Sequence, residues 1–252
     1  MPARMAIRAA AVVLTGGVAA WMLAGCSVNV GALQHRTRSY QVSGQLRTLV
    51  VNAHVGGVRV TGGNAATISV TEHISYRGTV PATTHRAAAG TLTLASTCPQ
   101  LETCSVGYVI RVPRPVTVRV NDRVGTIRLQ SLSGPVTVHT SVGDIDLGSV
   151  SGPVEATGST GTIHGQDVSS VRATLRMSAG TIEVTFSAAP AAITATVTAG
   201  SVTLRVPGSV PYAVDASASV GSTQIGVPRS AASPHTITAR TTTGSITIEP
   251  AP

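Results

Sequence analysis

The chain has 252 residues, of which 42% are hydrophobic but only 2% aromatic, and 18 basic residues against 10 acids give a formal net charge of +8. So few rings argue against an aromatic-lined sugar groove and against the base-stacking platforms of single-strand nucleic-acid proteins. A core must come from Val, Ile, Leu and Ala, and every one of the basic residues is Arg.

Residues 1–25 read as a lipoprotein signal peptide to be excluded from the fold. Arg4 and Arg8 supply a positive start, 9–22 is apolar, and Leu23, Ala24, Gly25 and Cys26 close the segment. Gly16 and Gly17 and the polar sequel make it a poor membrane span. The tetrapeptide resembles the bacterial lipobox. That resemblance implies cleavage before Cys26, a diacylglycerol on its sulfur and acylation, for example by palmitate, of the freed amine. It places the mature chain on the extracytoplasmic face of a bacterial cell membrane, where two or three acyl chains make a stable anchor. The remaining charge is 16 Arg against 10 acids, or +6.

Residues 26–43 are polar and basic, with Arg36 and Arg38, and read as a lipidated tether. Strands are expected from residue 46, at 49–51, 58–60, 68–70, 92–94, 108–112 and 116–120. Their spacing is uneven. Residues 44–121 therefore read as an irregular β first half that caps a more regular stack, with antiparallel hairpins around residues 98–104. Cys98 and Cys104 are the only cysteines after Cys26. An extracytoplasmic compartment permits a disulfide, and two thiols flanking a Pro-containing turn suit a stapled loop. A metal site there lacks further ligands at suitable spacing.

From 122 to 250 the pattern becomes a repeat. Gly125, Gly134, Gly143, Gly152 and Gly161 recur at nine-residue steps, each opening a short strand of period-two alternation: Ile127/Leu129, Val136/Val138, Ile145/Leu147 and Val154/Ala156. Gly180, Gly200, Gly221 and Gly244 continue it at longer steps, before strands at 181–184, 201–204, 222–225 and 245–248. One such strand cannot bury its apolar face alone, whereas stacked copies can. The expected fold is all-β: a single parallel β-solenoid, right-handed by the general preference of parallel crossovers. Two strands per eighteen-residue turn, or three with a weakly patterned third side, both fit.

The runs 112–118, 124–127 and 140–147, with Pro113, Pro115, Gly125 and the Gly143-Asp144-Ile145 unit, resemble the bacterial "putative adhesin" family, a domain of unknown function with repeated Gly-Asp-Ile units. The resemblance spans most of 45–249 and implies a β-helical envelope protein. The chain departs from it by placing Thr or Ser after the glycine at 126, 162, 181, 201 and 245.

Signatures of chemistry are sparse. Asp144 and Asp146 flank Ile145 and so face outward, reading as a solvated face. The histidines are scattered, and neither a nucleophile elbow nor a zinc helix nor a phosphate loop occurs. The expectation is a protein without catalytic residues, metal or cofactor. The densest basic group is Arg111, Arg114, Arg119, Arg123 and Arg128, a candidate surface for an anionic partner. Expected partners are the membrane through the anchor, an envelope protein or cell-wall polymer, and a second copy by self-association, but not nucleic acid. The expected function is a lipid-anchored, adhesin-like scaffold or binding protein of the cell envelope. The alternatives are a sensing partner of an envelope-stress system and, further off, a glycan-processing enzyme.

Overall fold

The structure, a computed structural model, describes residues 32–99 and 103–252. Among the described residues, sixteen strands join in one sheet. The repeat unit is clearest in the middle of the chain. There β8 (Thr117–Val124) turns at Gly125 into β9 (Ile127–Gln130), and a short return segment leads to β10 (Val136–Val142). A second corner at Gly143 gives β11 (Ile145–Gly148), and the next return leads to β12 (Val154–Val168). Val136 lies between Val118 and Val154, eighteen residues away on either side, and every pairing here is parallel. Strands before the corner stack into one wall; strands after it stack into a second.

Later turns cross the corner without a break. Strands β12, β13 (Arg172–Phe186), β14 (Ala192–Val206), β15 (Ala213–Ile225) and β16 (Thr236–Pro250) each run through both walls. The corner itself explains its glycine. Gly143 has φ +138°, and a Cβ there would run into the carbonyl oxygen of Gly125 on the adjacent turn. An L side chain fits neither the angle nor the space. The same contact repeats down a column from Gly56 through Gly125, Gly143, Gly161, Gly180 and Gly200 to Gly244 and Gly221. The nine-residue period is thus two columns superposed, because Gly134 and Gly152 lie on the return side, where each abuts the turn before it.

That return side is a true third edge. Ser151 donates its backbone N–H to Leu132 at 2.9 Å, Ser169 to Val150 at 3.0 Å and Ser187 to Val168 at 3.0 Å. Leu132, Val150, Val168 and Phe186 are buried beside this ladder. Its apolar residues are single and flanked by Ser and Gly, so alternation is weak there. The core consists of columns such as Val58, Ile127, Ile145, Ile163, Ile182, Val202 and Ile246, all at most 1% exposed. Each large aliphatic side chain removed from water contributes roughly 1.5–3 kcal/mol.

The first half departs from expectation in two ways. The segment read as tether contains β1 (Gln34–Val42), which pairs antiparallel with β4 (Ile68–Tyr76). The irregular region holds two turns in register with the coil. Strands β2 (Thr48–Val55) and β3 (Val58–Gly63) lie parallel on β8 and β9, and β6 (Thr91–Thr97) and β7 (Cys104–Pro113) lie parallel outside them. The antiparallel pairings expected around residues 98–104 are present and make the sheet mixed. β4 is antiparallel to β7, and β5 (Ala82–Ala88) is antiparallel to β6. A two-residue turn at Ala89 and Gly90, both at positive φ, permits only an antiparallel return.

The other end is also out of sequence order. β16 pairs with β14 on one side and with β15 on the other, so the last strand of the chain lies inside the one before it. Consecutive stacking of the copies at Gly200, Gly221 and Gly244 is therefore overturned. At the inward positions Ile237 and Ile246 of β16 are bulkier than Val214 and Thr223 of β15, which lie level with them at the edge.

Candidate binding surfaces

At the end formed by β1 and β5, the interior is polar. The Tyr40 hydroxyl of β1 donates to Glu72 Oε1 at 2.8 Å, and Glu72 is 2% exposed on the inward face of β4. Burial, and then that carboxylate, hold the Tyr40 hydroxyl protonated far above the ordinary tyrosine range. Nearby, the Tyr108 hydroxyl and Ser96 Oγ are buried without hydrogen-bond partners. Burial pushes Tyr108 up to about 12; Ser96 opposes the shift and Glu72 adds to it. Above this layer Tyr40 stacks on His85 with ring centroids 4.5 Å apart, and Arg38 Nη1 reaches Thr83 Oγ1 at 3.4 Å. β1 and β5 thus meet across the mouth of the coil.

A second buried polar residue, Asp122, sits beside the Gly125 corner. Neither carboxylate oxygen makes a hydrogen bond. Burial pushes the carboxyl up to about 6, against the pull of the neighbouring backbone N–H groups of Val124 and Arg123. Sequence reading placed no weight on Asp122, although its even position among Val118 and Val120 marks it as inward-facing.

The five arginines of the expected basic group fall on three sides of the coil. Arg119 and Arg123 belong to β8, Arg114 to the return segment, and Arg111 and Arg128 to the second wall. On that wall Arg59 of β3 lies level with Arg128, an addition the sequence grouping missed because Arg59 is about seventy residues away along the chain. Arg128 Nε is 3.0 Å from Asp146, and Arg123 Nη1 is 3.2 Å from His54 Nε2. The Asp144 carboxylate accepts the backbone N–H of Thr162 at 2.9 Å, so the outward acid pair splits into a turn-to-turn clamp and an ion pair. Among the described residues, no group of three His, Cys, Asp or Glu side chains is placed to hold a metal ion.

Cys98 and Cys104 stand at disulfide distance, with Cα atoms 5.6 Å apart. They lie at the end of β6 and the start of β7, and the level that glycine takes in later turns is held in this one by Val106, whose carbonyl faces Gly56. The lipobox residues Leu23, Ala24, Gly25 and Cys26 lie outside the described residues. A depression of about 500 Å³ lies at the far end between Tyr212, Asp215 and Arg229.

The outer faces carry the most regular chemistry. In one row of the first wall, Thr137, Glu155, Thr174, Thr194 and Thr238 are neighbours across β10, β12, β13, β14 and β16. In the next, His139, Thr157, Arg176, Thr196 and Arg240 are aligned in the same way. Arg205 bridges Glu183 at 2.6 Å and Glu249 at 2.8 Å on the second wall.

These features define an all-β protein built on one long, curved, mixed sheet. The chain belongs to the Toastrack DUF4097 family, whose sequence pattern matches residues 45–249. Its fold is similar to that of a "putative adhesin" from Bacteroides fragilis NCTC 9343, at 14% identity and a TM-score of 0.50, over 85% of this chain and 97% of that one. A "putative cell adhesion protein" from Clostridium sporogenes ATCC 15579 matches 86% of this chain and 100% of its own at 11% identity, with a TM-score of 0.39. No curated protein matches the sequence.

Proposed function

We propose that the protein is a non-enzymatic scaffold of the bacterial cell envelope, anchored by lipid at Cys26 on the extracytoplasmic face, with its sheet walls serving as the binding surface. In this reading β1, β4 and β5 cap a right-handed coil. The observation that carries the proposal is the registered ladder Thr174, Thr194 and Thr238 beside Arg176, Thr196 and Arg240. Neighbouring strands stand about 4.8 Å apart, so hydroxyl and guanidinium groups recur at one spacing along the wall. A surface of that kind suits an extended partner with its own repeat, either a cell-wall polymer or a β-rich envelope protein. The adhesin-like names of its structural relatives support the same reading.

The test is capture of envelope components from the native host by the mature chain, with and without protease treatment of the envelope. Saturable binding is expected, and its protease sensitivity separates protein from polymer partners. Loss of binding on exchanging Arg176 and Arg240 for Ser would locate it on this wall. Absence of binding at micromolar protein sinks the scaffold reading.

A further inference from the structure

Charge is divided unequally along the stack. Residues 32–121 hold nine arginines and two glutamates, a net of +7, whereas residues 122–252 hold seven arginines and eight acids, a net of −1. One of those two glutamates, Glu72, is buried beneath Tyr40 and offers no charge to a partner.

The excess reaches the end of the coil. β1 and β5 are the outermost strands of the sheet path, and both are exposed along most of their length. Arg36 and Arg38 share the parity of Tyr40 and Val42, which pack on the core, so they turn toward the mouth of the coil rather than its outer wall. They nevertheless remain exposed. His85 of β5, level with buried Leu94, faces the same way, while Arg86, level with Thr93, rises from the outer side of that edge strand; together they make this end cationic, and neither strand contains an acid.

The chain from Cys26 enters at this same end. Seven residues lie between Cys26 and Gln34, and the eight Cα–Cα steps, fully extended, span at most about 29 Å. The opposite edge, β15, is nine strand spacings from β5 along the first wall, or roughly 43 Å at about 4.8 Å each. A membrane that holds Cys26 thus lies within reach of the cationic end and not of β15.

We infer that the β1–β5 end face docks on an anionic lipid surface through Arg36, Arg38 and Arg86, so that the coil stands end-on with both walls free. The inference rests on the lipid-anchor reading for its geometry. Basic side chains beside a membrane attract acidic headgroups within about a Debye length, near 10 Å at ordinary salt. The face therefore takes phosphatidylglycerol-like lipids rather than neutral ones.

The experiment is amide hydrogen exchange on the full chain with vesicles of phosphatidylcholine, alone or mixed with phosphatidylglycerol. Residues 34–42 and 82–88 are expected to exchange at least about fivefold more slowly in the anionic vesicles, the effect of a single headgroup-facing arginine. The slowing disappears in high salt and in the Arg36→Ser, Arg86→Ser double variant, while β15 is unchanged. Equal exchange in the two vesicle types overturns the proposal, as does slowing at β15 instead. Slowing by soluble polyphosphate with neutral vesicles alone assigns the face to a free polyanion and equally overturns it. Intact mass at Cys26 decides the anchor separately. An unlipidated chain with salt-sensitive slowing sinks the anchor alone, and a lipidated chain without slowing sinks the docking face alone.

Discussion

Asp122 and Thr140 lie side by side in one inward-facing row, and neither side chain has a hydrogen-bond partner. The row continues with Ala53 on one side and through Gly158, Met177 and Val197 to Thr241 on the other, so Asp122 is the one carboxylate in a column of mostly small or apolar residues. A buried carboxylate without a partner is costly, and the cost appears as a raised pKa.

The pH dependence of stability follows in sign. The Asp122 carboxyl moves from an ordinary value of 3.8 to about 6 on folding, so folding favours the protonated form. Its stabilising effect is complete below about pH 4 and is lost as pH rises through 6. A shift of this size corresponds to about 3 kcal/mol. Asp122→Ala, which copies Ala53 of the neighbouring strand, is expected to raise the thermal midpoint at pH 8 and to leave it nearly unchanged at pH 4. Equal gains at both values would contradict this account.

The inside-outside register is open to a paired test. Ile145 is fully buried, while Asp146 next to it pairs with Arg128 at 3.0 Å on a half-exposed surface. Ile145→Asp is expected to cost more than about 4 kcal/mol by burying an unpaired charge. Asp146→Asn removes one surface ion pair, worth less than about 1 kcal/mol. Denaturant unfolding of the two variants decides; similar midpoints would reverse the register.

Corner glycines are predicted to be irreplaceable where others are not. Gly200 has φ +138°, and a Cβ there meets the Gly180 carbonyl, whereas a Cβ on Gly63 meets nothing within 4 Å. Gly200→Ala should cost at least about 1–3 kcal/mol from strain alone, and Gly63→Ala should be neutral within about 0.5 kcal/mol. Thermal melts of the two proteins provide the comparison.

Removing the link between Cys98 and Cys104 should act locally. Closing so small a ring is worth about 2 kcal/mol in the loop-entropy model. The double Ser variant is expected to speed hydrogen exchange in β6 and β7 while the strands from β10 to β14 keep their protection. Uniform loss along the coil would show that this corner controls the whole stack.

What the sequence made legible is what repeats at short range. The inward alternation of Ile127, Leu129, Val136, Val138, Ile145 and Leu147 placed each of those side chains correctly. The spacing of Gly125, Gly143 and Gly161 announced a coil, although it merged the corner and return columns. Pairing order was not legible, because it depends on contacts between distant segments. Nothing near Gln34 signals that β4 will take it up, and the copies opened by Gly221 and Gly244 share the glycine and the alternation that would mark either as the neighbour of β14. The five arginines between 111 and 128 looked like one group because they are close along the chain, but a turn of the coil separates neighbours by a whole wall.

The position of β16 sets a sorting problem for the growing polypeptide. β15 comes first along the chain and carries a glycine that matches the corner column, so it is a near-copy of the strand that pairs with β14. The native order requires β15 to yield that berth. The two claimants differ at the inward positions, where β16 buries Ile237 and Ile246 and β15 carries the smaller Val214 and Thr223. The far end of the stack is therefore arranged by competition between near-copies and not by order of arrival.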